Sequence, residues 1–96
     1  MSFFNIKNKV KLRKEKNGTV LFDIENEKVY VLNSTAEEII NKIKEGKSLE
    51  EIIKELKEEY QDPENKIEDD VRKFIDNLRE AGILVDSKLS QFPIFL

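Results

Sequence analysis

The side chains of this 96-residue sequence best equipped for chemistry are its carboxylates, 20 Asp and Glu in all, three of them consecutive as Glu68-Asp69-Asp70. Such a run could hold a cation or exchange protons. It stands where an apolar helical repeat begins, however, and favourable interaction with the helix dipole accounts for it, so neither a metal site nor a cofactor is expected there. The sequence contains no Cys and no His, which removes thiolate nucleophiles, imidazole bases, disulfides and the usual zinc ligands. Its three glycines punctuate turns or helix ends, leaving no glycine-rich loop to cradle a phosphate. We therefore expect a protein that is not an enzyme. What remains is the chemistry of the main chain, and Val29-Tyr30-Val31-Leu32 is the stretch to carry it. Three of these four apolar residues are β-branched or aromatic, which favours an extended strand. The stretch does not alternate, so both of its faces expect cover.

The elements around that strand follow from pattern. Asn33 and Ser34 stop it, and Ser34 with Glu37 three residues on reads as a capping box, so a helix starts without a linker. Upstream, Ile6, Val10 and Leu12 alternate with Lys7, Lys9, Lys11 and Arg13, giving a strand with one apolar and one cationic face. Asn17-Gly18 signals a hairpin, beyond which Val20, Phe22 and Ile24 keep the same period. A two-residue loop would set Arg13 opposite Phe22 and Leu12 opposite Asp23, mixing charge and core. A three-residue loop, Lys16-Asn17-Gly18, sets Leu12 opposite Phe22 and Val10 opposite Ile24, and predicts a type I turn with Gly18 left-handed in a bulge. Glu25-Asn26-Glu27-Lys28 is a second turn, leading into residues 29–32 as the edge of a three-stranded meander with unpaired main-chain groups.

Three helices come next. The first, residues 34–45, places Ala36, Ile39, Ile40 and Ile43 on one stripe before Gly46. In the second, Ser48 and Glu51 form a capping box ahead of Leu49, Ile52, Ile53, Leu56 and Tyr60. After the break Gln61-Asp62-Pro63-Glu64-Asn65, the third carries Ile67, Val71, Phe74, Ile75 and Leu78 and ends at Gly82. Ile83-Leu84-Val85 is a short extended segment that closes the core. The fold class is α+β: a three-stranded antiparallel β-meander followed by three α-helices, winged helix-turn-helix-like, in one domain with a modest core. The tail holds Phe92, Ile94, Phe95 and Leu96, which either pack near Phe3 and Phe4 or mark an interaction patch or dimer contact.

Charge is unevenly spread. Residues 1–17 carry six cations against Glu15 alone, a balance of +5, while residues 18–96 carry 11 cations and 19 carboxylates, −8. The basic strand is either a solvated face or an electrostatic guide for an acidic peptide. No apolar run approaches the roughly 20 residues of a membrane span, and Met1-Ser2-Phe3-Phe4 does not open a signal peptide, so no membrane partner and a cytoplasmic location are expected. A winged helix-turn-helix could meet DNA, but the third helix carries Arg72, Lys73 and Arg79 against Glu68, Asp69, Asp70, Asp76 and Glu80. It would approach phosphates with net repulsion, and no nucleic-acid partner is expected.

The order Gly18-Thr19-Val20-Leu21-Phe22-Asp23, Val29 through Ala36, Ser48-Leu49-Glu50-Glu51-Ile52-Ile53, Asp70-Val71-Arg72-Lys73-Phe74-Ile75 and Leu78 through Leu84 resembles the PqqD family. These are the peptide-recognition domains (RiPP recognition elements) of ribosomal peptide natural-product biosynthesis. The resemblance spans residues 9–85, with residues 1–8 an N-terminal extension and 86–96 an apolar C-terminal tail. It implies a domain without chemistry of its own that binds the leader of a precursor peptide and delivers it to a modifying enzyme, often a radical S-adenosylmethionine enzyme. The leader is held as an added strand beside the third strand, in a groove closed by the third helix. That assigns Val29, Tyr30, Val31 and Leu32 to the peptide. At 100° per residue the third helix offers Asp70, Lys73, Asn77 and Ala81 on one flank, with Phe74 at the groove floor, and Glu68, Arg72 and Arg79 on the other. We choose the first flank. Two other functions stay open: a self-associating structural domain, a homodimer or one whose edge is filled by its own tail, and a small DNA-binding regulator.

Overall fold

The structure is a computed structural model that describes residues 3–16 and 18–87. Its elements run β1 (Phe3–Ile6), β2 (Val10–Glu15), β3 (Gly18–Asp23), β4 (Lys28–Leu32), α1 (Ser34–Lys44), α2 (Leu49–Glu59), α3 (Ile67–Glu80) and β5 (Leu84–Ser87). β2, β3 and β4 form the antiparallel meander in that order, and the three helices follow it. A second, two-stranded sheet pairs β1 with β5, Phe3 opposite Ser87 and Ile6 opposite Leu84. The single basic strand expected from residue 6 onwards is thus broken: the chain turns at residues 7–9, where the Val10 amide donates to the Lys7 carbonyl, and Ile6 belongs to β1.

The first hairpin corrects the register. Glu15 stands opposite Gly18, Leu12 opposite Leu21 and Val10 opposite Asp23, so the connection is one residue shorter than the three-residue loop expected, and no bulge intervenes. Asn17 itself lies outside the described residues. Gly18 has φ +140°, and a Cβ there would sit 3.2 Å from the Leu32 carbonyl oxygen, so glycine is needed both for the dihedral and for the approach of β4. The inner face of β3 is consequently Thr19, Leu21 and Asp23, all buried, and not Val20, Phe22 and Ile24.

The two buried polar residues of β3 are tolerated because each is bonded. The Thr19 hydroxyl donates to the Glu37 carboxylate, and the Asp23 carboxylate accepts from the Asn26 side chain (2.8 Å) and amide (3.2 Å). Asp23 thereby ties the β3–β4 turn, in which Glu27 takes φ 55°.

Helix starts follow capping chemistry with one shift. Asn33, not Ser34, caps α1: its side chain accepts from the Ala36 amide at 2.8 Å, while Glu37 turns to Thr19 and to the Lys14 ammonium, 3.4 Å away. Ser48 and Glu51 do form the capping box of α2. α3 has no cap from Lys66; the Asp62 carboxylate instead accepts from the amides of Lys66 and Ile67. Leu21, Leu32, Ile40, Ile52, Leu56, Val71, Ile75 and Leu84 meet in one core between meander and helices. Tyr60 departs from the α2 stripe, since it lies past the helix end and is 45% exposed. Residues 86 and 87 of the expected tail belong to β5, and the rest of it, with Phe92, Ile94, Phe95 and Leu96, lies outside the described residues.

Candidate functional site

β4 pairs with β3 on one side only, so its other edge is one of the meander's two open edges among the described residues, the far edge of β2 being the other. The pairing also settles its parity. Tyr30 and Leu32 share the inner face with Leu21 and Thr19, whereas Val29 and Val31 stand on the outer face, opposite Phe22 and Val20. Leu32 is buried and Tyr30 half-buried; Val29 is 60% and Val31 79% exposed. α1 begins one residue after β4 ends, and α3 packs on α2 and β5.

Between the three helices, next to the end of β4, lies an open pocket of about 450 Å³. Asn33, Ala36 and Ile39 form one wall, Tyr60 and Leu56 the end, and Ile67, Asp70, Val71 and Phe74 of α3 the other wall. Of the eight residues assigned to a peptide, the structure brings Asp70 and Phe74 into this pocket, which opens beside the end of β4. Lys73 and Asn77 are exposed on the same helix outside the lining, and Val29 and Val31 face away from it. The opposite flank of α3 is already engaged: Arg79 donates to Asp86 and Asp76, each at 2.8 Å, and its guanidinium lies 5.1 Å from the centre of the Phe4 ring, and Arg72 donates to Glu68 at 3.0 Å.

Sequence reasoning did not assign Asn33, Ala36, Ile67 or Tyr60 to the site. Proximity of Ala36 and Asn33 to the strand end was visible in the chain; the position of Tyr60 was not, because it depends on where α2 stops. Its hydroxyl donates to the Glu38 carboxylate at 2.8 Å, which pushes the Tyr60 phenol above its ordinary value. Glu59 is also pushed up, chiefly by the hydrogen bond it shares with Glu38. The pocket is therefore an apolar cleft with a carboxylate-backed tyrosine at one end and Asp70 on its wall. Among the described residues no group of acidic side chains is arranged to hold a metal ion, and no helix there is long and apolar enough to cross a membrane.

Fold and site together define an α+β domain of winged helix-turn-helix type, with an open strand beside an apolar cleft. The chain belongs to the PqqD family: the family model described as coenzyme PQQ synthesis protein D matches residues 18–84, from the start of β3 to the start of β5. No curated protein matches. Two solved structures share the fold. One is described as lasso peptide synthetase B1 complexed with the leader peptide, 24% identical, covering 85% of this chain and 96% of that one, with a TM-score of 0.78. The other is described as TbiB1 in complex with the TbiA(beta) leader peptide, 25% identical, covering 83% and 93%, with a TM-score of 0.75.

Proposed function

We propose that this chain is a non-catalytic module that captures the leader of a ribosomally made precursor peptide as an added strand on β4. It then presents that peptide to a modifying enzyme, for which a radical S-adenosylmethionine enzyme is one candidate, in the cytoplasm where the precursor is made. The observation that carries this reading is the open β4 edge together with the 450 Å³ cleft lined by Asn33, the residue that follows β4. Main-chain pairing along an edge gives affinity, and a side-chain pocket beside it gives selectivity. Membership of the PqqD family and likeness to two chains described as leader-peptide complexes support it. In this reading Val29, Tyr30, Val31 and Leu32 supply the paired strand, Phe74 receives an apolar leader side chain, and Asp70, Lys73 and Asn77 border the peptide along α3.

The test is a fluorescence-anisotropy titration with labelled leader segments from short reading frames beside the gene, scrambled peptides serving as controls. Micromolar or tighter binding of one segment, lost on scrambling, supports the proposal. Equal binding of scrambled and natural segments removes it.

A further inference from the structure

The meander has a second apolar face. Because β3 is inverted relative to the simple apolar pattern, Val20 and Phe22 lie on the side away from the helices, flanked by Val31 and Val29 of β4. Ile24, just past β3, is 55% exposed, so three of the five large hydrophobic residues left exposed among the described residues cluster on this hairpin: Ile24, Val29 and Val31. A meander with one face on the core ordinarily turns polar residues to water on the other, and a contiguous exposed apolar patch marks an interaction site. On the β2 side the same face carries Lys11 and Arg13, opposite Phe22 and Val20. Its one carboxylate, Glu15, is already bridged to Arg13 at 3.0 Å, and Lys11 has no carboxylate partner among the described residues.

We infer that this outer face is a docking surface, separate from the cleft, for a protein partner that presents an apolar patch bordered by carboxylates. Charge decides the occupant. A second copy fits badly, since two-fold stacking of this face sets Lys11 and Arg13 against their own counterparts or against Val29 and Val31. A partner with acidic residues beside its apolar patch satisfies both halves of the surface at once and is attracted at long range, the more so at low salt. The delivery reading supplies the identity of that partner, the modifying enzyme, and the inference rests on that reading for the identity alone. A strand added to β4 would extend this same face by one strand, placing alternate leader side chains next to Val29 and Val31. The enzyme then meets chain and leader on one continuous surface.

The probe is the modifying enzyme encoded beside this chain's gene, titrated by biolayer interferometry onto the peptide-loaded chain. The variants are Val20→Asp and the double change Lys11→Glu with Arg13→Glu, the latter on the strand farthest from the β4 edge and exposed enough to leave folding intact. The inference predicts at least tenfold weaker enzyme binding in both, growing as salt is lowered, with leader affinity in the absence of enzyme changed less than twofold. Leader affinity measured alone tests the groove separately, so a failed groove and a failed outer face give different results. Unchanged enzyme affinity in the charge-reversed variant overturns the inference, as does an enzyme that does not bind the loaded chain. A wild-type dimer seen by light scattering and dissolved by Val20→Asp overturns it in favour of a second copy.

Discussion

Thr19 shows how a single residue fixes which face of β3 turns inward. The hydroxyl of Thr19 reaches the Glu37 carboxylate across the core face and, as the largest cause, holds that carboxyl below its ordinary range. Asp23 is lowered by the Asn26 side chain, Glu51 by Ser48 and Glu55 by Lys42. For these four the folded chain holds protons more weakly than the unfolded one. They add stability above their unfolded values, near 3.8 for Asp and 4.5 for Glu, and that stability is lost as pH falls through their lower folded values. Glu59, pushed up, acts in the opposite sense and loses its contribution as pH rises through its raised value. Thermal melts from pH 6 to pH 3 should therefore show falling stability, with a shallower fall in Thr19→Val; stability that rises towards pH 3 contradicts the assignment. Glu38→Gln removes the anion behind Tyr60, and an ultraviolet titration should find the phenol closer to its ordinary value of 10.0. Phe74→Ala takes a half-buried ring from the cleft. It should weaken leader binding at least tenfold by calorimetry, at a cost in stability of about 1–2 kcal/mol, less than a fully buried Phe would show.

At the scale of elements, the capping of α1 gives the sharpest contrast. Asn33→Ala should destabilise the chain by about 1 kcal/mol in denaturant melts, and Ser34→Ala by far less, because only Asn33 accepts from the first-turn amides. The reverse order would restore the Ser34 capping box that the sequence pattern implies. Much of the fold was legible: three strands then three helices, the Ser48 cap, and the stripes Ile39, Ile40 and Ile43 or Val71, Ile75 and Leu78 all follow from period and capping rules. The face of β3 was not. Hydrophobic periodicity selects Val20, Phe22 and Ile24, and only partners elsewhere in the chain, Glu37 for Thr19 and Asn26 for Asp23, make the alternative face buriable. The β1–β5 pairing was equally hidden, since it joins residues at opposite ends of the described chain. The site was half legible: Asp70 and Phe74 could be placed by helical geometry, whereas Tyr60 and Asn33 enter the cleft only through the packing of α1, α2 and α3.

At the scale of the molecule, two surfaces serve one proposed task. In the proposed function the inner cleft and open β4 edge receive a peptide, and by our further inference the outer face of the same three strands meets a larger partner. Both depend on the one register that turns Tyr30 and Leu32 inward and Val29 and Val31 outward. The measurement that tests the central claim most directly is an amide NMR titration of labelled protein with a synthetic leader segment. The account predicts shifts confined to residues 28–33 and to α3 around Asp70 and Phe74, with β2 and the β1–β5 sheet unmoved. Amides of β4 that stay still under every leader, and are already protected from solvent exchange in the free protein, would mean that the edge is occupied and would contradict it.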